Sequence, residues 1–164
     1  MNEGICWSAY LKNIEEVKCY LESGSDIEEK DRDGRTPLLN SVSGNNISFE
    51  LVSLLISCGA NTNAQDNAGF SALHFCAQEK QPELAQLLID NGANVNLKDQ
   101  WGNTPLFRAF GNTDKNIALI DILISNGCDP YSKNNSGISA MDHALRLKTH
   151  PNHQIFKEHH ENNS

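Results

Sequence analysis

The stretch Asp99-Gln-Trp-Gly-Asn-Thr-Pro-Leu106 decides the fold of this chain, because the sequence contains its pattern three more times. The other copies are Asp31-Arg-Asp-Gly-Arg-Thr-Pro-Leu38, Asp66-Asn-Ala-Gly-Phe-Ser-Ala-Leu73 and Asn134-Asn-Ser-Gly-Ile-Ser-Ala-Met141. The glycines of the four copies, Gly34, Gly69, Gly102 and Gly137, follow one another at intervals of 35, 33 and 35 residues. A fixed period of this length indicates a repeat architecture in which each unit is one supersecondary element.

A second pattern follows each of the first three copies. It reads Leu51-Val-Ser-Leu-Leu-Ile-Ser-Cys-Gly-Ala-Asn61, then Leu84-Ala-Gln-Leu-Leu-Ile-Asp-Asn-Gly-Ala-Asn94, then Leu119-Ile-Asp-Ile-Leu-Ile-Ser-Asn-Gly-Cys-Asp129, and Val17-Lys-Cys-Tyr-Leu-Glu-Ser-Gly-Ser-Asp26 is a weaker version near the N-terminus. The apolar positions three and four residues apart predict a helix with one buried stripe. A glycine after the stripe suits a left-handed helix C-cap, since it has no Cβ.

The first pattern also predicts a helix. Thr36 and Thr104 stand where a side-chain oxygen caps a helix N-terminus, and a proline occupies the first helical position after each of them. Ser71 and Ser139 keep the capping hydroxyl where the proline is absent. Each repeat is therefore expected to contain a turn followed by two helices.

These residues resemble the ankyrin repeat family, whose Thr-Pro-Leu-His-x-Ala core is nearly complete in Ser71-Ala-Leu-His-Phe-Cys-Ala77. The resemblance covers residues 4–148 and implies an all-α ankyrin repeat solenoid. About five helix-turn-helix repeats would carry β-turn or hairpin fingers along one edge. We expect one domain, 1–164, with an N-terminal capping repeat (1–30), internal repeats (31–65, 66–98 and 99–133), and a C-terminal capping repeat with a tail (134–164).

The net charge and the cysteines limit which kinds of partner and which cellular location fit this chain. The formal net charge of −8 disfavours nucleic acid, which needs clusters of Lys and Arg, and fits either a basic partner or plain solubility. No apolar run is long enough for a membrane span, and residues 1–10 do not resemble a signal peptide. The five cysteines show no zinc spacing and are expected as small buried thiols. We expect a cytoplasmic protein.

The sequence lacks the common motifs of catalysis and cofactor binding. The sequence has no phosphate-binding loop, dinucleotide fingerprint, nucleophile elbow or His-Glu-x-x-His motif, so no catalytic residue, cofactor or metal is expected. His74 is expected to form hydrogen bonds within its own repeat turn. A metal-binding or enzymatic role remains as an alternative for the C-terminal histidines, His143, His150, His153, His159 and His160.

A solenoid presents an extended surface, and in ankyrin repeat proteins the turn tips and the first helices form it. Trp101 and Phe70 are the main candidates for partner contact, since large aromatic side chains dominate interface hot spots. In the alternative, each ring folds back onto the neighbouring finger. Trp7, Tyr10 and Tyr20 are expected to pack in the N-terminal cap, and Phe49, Phe75 and Phe107 between helices. The full predicted contact set is Arg32, Asp33, Arg35, Ser43, Asn67, Ala68, Phe70, Gln78, Glu79, Gln100, Trp101, Asn103, Phe110, Asn112, Asn135, Ser136 and Ile138.

The function that follows is a non-catalytic protein-binding module, monomeric when free, that occludes or assembles its partner. The segments Gly102-Asn-Thr-Pro-Leu-Phe-Arg-Ala109 and Asp129-Pro-Tyr-Ser-Lys-Asn-Asn-Ser-Gly137 resemble small bacterial ankyrin proteins that neutralise a cognate toxin. That resemblance implies an immunity protein whose acidic and aromatic tips cover the cleft of a basic toxin or effector domain. The alternative is an adaptor or scaffold, either a host-directed effector or a subunit of a larger complex.

Overall fold

The computed structural model describes residues 4–44, 46–110 and 117–146, and within them the chain forms nine helices and no strand. The predicted all-α solenoid is confirmed. Helices α1, α3, α5, α7 and α9 are the first helices of successive repeats, and α2, α4, α6 and α8 are the second helices. Their bounds are α1 Ile5–Tyr10, α2 Ile14–Glu22, α3 Pro37–Val42, α4 Phe49–Ser57, α5 Ala72–Glu79, α6 Pro82–Asp90, α7 Pro105–Ala109, α8 Ile117–Ser125 and α9 Ala140–Arg146.

The helices pack in two rows. In the inner row α1 packs on α3, α3 on α5 and α5 on α7, while each second helix packs against the first helix of its own repeat. Leu51, Leu55, Leu88 and Leu123 of the second helices are fully buried, as their spacing predicts. Because each repeat contacts chiefly its neighbours, the core is a continuous strip along the solenoid. No helix in the described part of the chain is long and apolar enough to cross a bilayer.

The predicted caps begin the first helices. Thr36 Oγ1 accepts a hydrogen bond from the Leu39 N–H at 3.4 Å, and Thr104 Oγ1 accepts one from Phe107 at the same distance. Ser139 forms a reciprocal capping box with Asp142, because each side chain accepts from the other residue's N–H at 3.0 Å. These bonds satisfy N–H groups that have no partner inside the helix.

His74 completes a capping box with Ser71 in the third repeat. Its Nδ1 accepts from the Ser71 N–H at 3.1 Å, so the ring proton is on Nε2, which donates to the Asn103 carbonyl at 3.0 Å. The predicted hydrogen bond within its own turn is confirmed, and the second bond ties this repeat to the next one. Burial lowers the pKa of His74, which favours the neutral ring that this arrangement requires.

Several expected core positions are exposed. Phe49 is 52% exposed because it lies outside the stripe of Leu51, Val52 and Leu55 that α4 buries, so its prediction as a core residue is wrong. Cys19 and Cys58 are also exposed, whereas Cys6, Cys76 and Cys128 are buried as expected. Trp7 and Tyr10 are exposed and stack on each other with centroids 5.5 Å apart, so they do not pack inside the cap.

Candidate functional site

The turns that precede the first helices have one shared construction, and we call them the first to fourth fingers (residues 31–35, 66–70, 99–103 and 134–138). In the first finger, Asp31 Oδ1 accepts from the N–H groups of Asp33 and Arg35, both at 2.9 Å. The opening Asp or Asn of the other three accepts the same two bonds at 2.8 to 3.1 Å. A short side chain with an acceptor oxygen is therefore needed at this position.

Main-chain hydrogen bonds join the fingers into a row. In the second, third and fourth fingers, the second residue donates its N–H to the carbonyl of the third residue of the finger before it: Asn67 to Asp33, Gln100 to Ala68 and Asn135 to Trp101, each at 2.9 Å. The contact is close, since a Cβ placed on Gly69 would lie 2.9 Å from the Asp99 Cα. Neighbouring fingers are thus joined directly through their main chains.

The aromatic side chains of the fingers, the exposed Trp101 and the half-buried Phe70, form one cluster with an arginine of α7. The rings of Phe70 and Trp101 meet edge to face with centroids 6.1 Å apart and an interplanar angle of 85°. The Arg108 guanidinium carbon lies 4.8 Å from the Phe70 centroid and 5.0 Å from the Trp101 centroid. We call these three residues the Trp101 cluster. The ring pair has the geometry of a favourable aromatic interaction, and the two guanidinium–ring contacts have that of cation–π interactions.

A buried carboxylate holds Arg108 in this position. Arg108 Nε donates to Asp99 Oδ2 at 2.8 Å, and Nη2 donates to the same oxygen. Asp99 is only 5% exposed, and its Oδ1 accepts from the N–H groups of Trp101 and Asn103. The carboxylate therefore fixes both the turn that bears Trp101 and the cation that lies against the ring.

Corresponding carboxylates in the other fingers have different partners. Asp31 Oδ2 accepts from the Asn40 amide at 2.8 Å, and Asn40 follows Asp31 by nine residues, as Arg108 follows Asp99. In the third repeat this position is Phe75, which has no donor. Arg35 of the preceding finger is the cation beside Asp66 instead. Its guanidinium lies 5.3 Å from the Phe75 centroid, and its Nε lies 3.5 Å from Asp66 Oδ2.

Most of the predicted contact residues lie along the finger row, but three do not face solvent. Ser43 donates to the Asn40 carbonyl, Asn103 donates to Asp99 and accepts from Asn134, and Phe110 packs on the His143 ring. All three are buried, so predicting them as contact residues was wrong. Asn112 lies outside the described residues, as do the histidines after His143. Exposed are Arg32, Asp33, Asn67, Gln78, Glu79, Gln100, Trp101, Asn135 and Ser136, and half-buried are Arg35, Ala68, Phe70 and Ile138.

The charge distribution differs from the predicted acidic tips. Among the predicted finger contacts Asp33 is the one carboxylate, and Arg32 and Arg35 are cations of the same finger. The exposed carboxylates of the helices lie mainly on the outer row of second helices, at Glu15, Glu16, Glu22, Glu50, Glu83, Asp90 and Asp121. Sequence reasoning also missed Arg108 and Asp99, whose nine-residue spacing, shared with Asp31 and Asn40, is the signal that could have identified them.

The fold and its finger row define a repeat solenoid of the kind that binds other proteins along one elongated face. The chain belongs to the ankyrin repeat family: the model for ankyrin repeats (3 copies) matches residues 5–99 and 80–158. Ankyrin repeats indicate a protein–protein interaction module.

Three relatives carry similar repeats. The chain is 48% identical to the B-cell lymphoma 3 protein homolog of Mus musculus over 61 residues, which is 37% of this chain and 13% of that protein. It is 30% identical to the phosphocholine transferase AnkX of Legionella pneumophila over 141 residues, 83% of this chain and 14% of that protein. It is 35% identical to the human transient receptor potential cation channel subfamily A member 1 over 79 residues, which is 48% of this chain and 7% of that protein. The chain thus spans about one seventh or less of each relative.

Proposed function

We propose that this chain is a non-catalytic protein-binding module whose partner contacts the finger row, with the Trp101 cluster at the centre of the contact. The observation that carries the proposal is the exposure of Trp101. Trp101 is 48% exposed although its ring packs against Phe70 and Arg108. A large ring that is already packed before binding loses little conformational entropy in the complex. Burying it therefore contributes to affinity at a small entropic cost.

The neighbouring fingers extend this contact. Exposed polar side chains flank the cluster on both sides, Asn67 and Gln100 near it and Asn135 beyond it. Such groups can form hydrogen bonds to a partner at the rim, while the aromatic rings exclude water at the centre. The arrangement supports a contact of one solenoid edge with a protein surface.

The proposal assigns no reaction to the chain, and the ankyrin repeat is generally a non-catalytic interaction fold. Burial raises the pKa of the Cys6 and Cys128 thiols to about 12 and raises that of Cys76. These thiols stay protonated, which is the unreactive form. The transferase activity in the name of the AnkX relative belongs to that protein, of which this chain matches 14%.

More specifically, we assign the chain the role of a cytoplasmic immunity protein that binds and blocks a cognate bacterial toxin. The mechanism is occlusion, in which the finger row covers the toxin's active cleft. A net charge of −8 would speed encounter with a basic toxin, and the outer helices supply most of that charge. The adaptor or scaffold role is the second candidate, and it is favoured by the relatives, in which similar repeats make up a small part of a longer protein.

Co-purification from the native host tests the proposal. Tagged wild-type chain and a Trp101→Ala variant are expressed at equal levels, and polypeptides retained by the wild type but lost from the variant are identified by mass spectrometry. The immunity role predicts a retained polypeptide that stops growth when it is expressed alone. Co-expression of the wild-type chain should restore growth, and the Trp101→Ala variant should restore it less. A retained partner that is harmless, or that keeps its activity in the complex, would contradict the immunity role and favour the adaptor.

A further inference from the structure

Two guanidinium groups and two phenylalanine rings form a chain of contacts beside Trp101. The rings of Phe70 and Phe75 have their centroids 5.5 Å apart. The Arg35 guanidinium carbon lies 5.3 Å from the Phe75 centroid, and that of Arg108 lies 4.8 Å from the Phe70 centroid. A segment of about five extended residues covers the largest separation that these distances allow between the two cations. We call these four residues the Arg–Phe ladder.

Each arginine of the ladder has a buried carboxylate partner. The side chains of Asp66 and Asp99 are 5% and 0% exposed, whereas those of Arg35 and Arg108 are 28% and 24% exposed. A guanidinium group has five N–H donors, and Arg108 uses two of its own on Asp99. Arg35 forms an ion pair with Asp66 at 3.5 Å and, within the described residues, no side-chain hydrogen bond. Both cations therefore keep donors that a ligand can use.

The charged side chains are divided between the two faces of the solenoid. All four arginines of the chain lie in the fingers or the first helices, namely Arg32, Arg35, Arg108 and Arg146. Among the described residues of those elements, the exposed carboxylates are Asp33 and Glu79. The other exposed carboxylates of the described helices lie on the outer row of second helices. A negatively charged group is thus repelled less at the finger row than the net charge of −8 suggests.

From these contacts we infer that the Arg–Phe ladder binds a short acidic segment of the partner protein. Carboxylates of that segment accept from the remaining N–H groups of Arg35 and Arg108, and an apolar side chain between them packs on the Phe70 ring. A guanidinium that is already held by a carboxylate and a ring loses little freedom when it binds a second carboxylate. Hydrogen bonds between ionised groups are also stronger than neutral ones, so the acidic residues determine which segment binds.

The inference rests on the proposed function for the place of contact and adds the chemistry of the contacting segment. It concerns that segment alone, so a partner with a basic overall charge can still carry it. Phosphate groups would fit the same donors. A nucleic acid presents many such charges at once, however, and the net charge of −8 repels a polyanion more strongly than one acidic segment.

The probe for the test is a phage-displayed library of random twelve-residue peptides, selected in parallel on the wild-type chain and on two variants. We expect the peptides retained by the wild type to contain more Asp and Glu than the unselected library. Arg35→Met removes one guanidinium of the ladder and keeps an unbranched side chain, so it should reduce this enrichment. Lys18→Met is the matched control, because it removes a cation that pairs with Glu15 on the outer row, and it should leave the enrichment unchanged.

Calorimetric titration of the wild-type chain with one selected peptide measures the charge contact directly. A version of the peptide with Gln and Asn in place of Glu and Asp should bind about tenfold more weakly, the loss expected for one charge-assisted hydrogen bond. Raising the KCl concentration from about 50 to about 300 mM should weaken the acidic peptide more than its neutral version. In the Trp7→Phe protein Trp101 is the one tryptophan, and a saturable change in its fluorescence places the peptide beside the ladder.

The inference is overturned if no peptide is retained, if the retained peptides are not enriched in acidic residues, or if the neutral version binds equally well. A single-stranded oligonucleotide that binds more tightly than the peptide would also overturn it. Circular dichroism shows whether Arg35→Met folds, and if it does not, the two peptides compared on the wild-type chain still decide the charge contact.

Failure of this inference can be told apart from failure of the proposed function. A native partner that is lost from Trp101→Ala but binds a folded Arg35→Met variant as tightly as the wild type would support the proposed contact and contradict the acidic segment. A native partner that binds Trp101→Ala unchanged would instead contradict the proposed contact itself.

Discussion

Replacing Arg108 with methionine tests the idea that a buried ion pair organises the Trp101 cluster. Methionine keeps an unbranched side chain and removes the guanidinium, which among the described residues leaves the Asp99 Oδ2 with only the Asn103 amide at 3.4 Å. Removing one partner of a buried ion pair typically costs about 3–5 kcal/mol. The Arg108 side chain is 24% exposed, so water compensates part of the loss, and about 2–3 kcal/mol is the reasonable share for the pair.

The lost cation–π contacts add to this cost. At partly exposed sites each is worth about 0.5–1 kcal/mol, and Arg108 makes two. We therefore expect Arg108→Met to lower the free energy of unfolding by about 3–5 kcal/mol in total. Urea unfolding followed by circular dichroism at 222 nm measures it, with an unchanged slope as the sign that the transition itself is the same.

The companion variant is Asp99→Asn, alone and combined with Arg108→Met. Asparagine keeps the two turn hydrogen bonds, since Asn134 makes both in the fourth finger. Once the carboxylate is neutral, the loss of Arg108 should cost less, and the double-mutant cycle should give a coupling free energy of about 1–3 kcal/mol. If Arg108→Met lowers the unfolding free energy by less than about 1 kcal/mol, or if the cycle shows no coupling, the pair does not organise the cluster.

Four further predictions follow from particular contacts. Trp101→Ala should lower the unfolding free energy by about 1–2 kcal/mol through the lost ring contacts and leave the circular dichroism spectrum unchanged, while partner affinity falls more than tenfold. Leu88→Ala should cost about 2–5 kcal/mol in urea unfolding, since Leu88 is fully buried. Burial lowers the pKa of His74, so the unfolded chain binds the proton more readily; the melting temperature should fall as pH drops below 6.5, and less so in His74→Gln. Gly69→Ala should lower the melting temperature more than its control Gly137→Ala: both have φ near +75° (78° and 73°), but only at Gly69 does a Cβ meet backbone within 4 Å.

The architecture could be predicted because it depends on local patterns that recur. The apolar stripe of Leu84 and Leu88 and the Thr-Pro caps at Thr36 and Thr104 describe a helix and its ends without reference to the rest of the chain. An ankyrin repeat also packs mainly against its sequence neighbours, so the period alone places one unit beside the next. The turn tips were found in the same way, since the glycine and the Asp or Asn identify each turn.

The exposure and pairing of individual side chains depended on contacts between repeats, which the period does not specify. Asn103 occupies a tip position in the sequence, yet it is buried because Asp99 and Asn134 both bind its side chain. Phe49 belongs to an apolar run, yet it is exposed because α4 buries another face, that of Leu51, Val52 and Leu55. By itself the sequence determined the repeat, its caps and its fingers. Only the tertiary structure decided which carboxylate meets which cation, because those pairs join residues that come together when the fingers and inner helices stack.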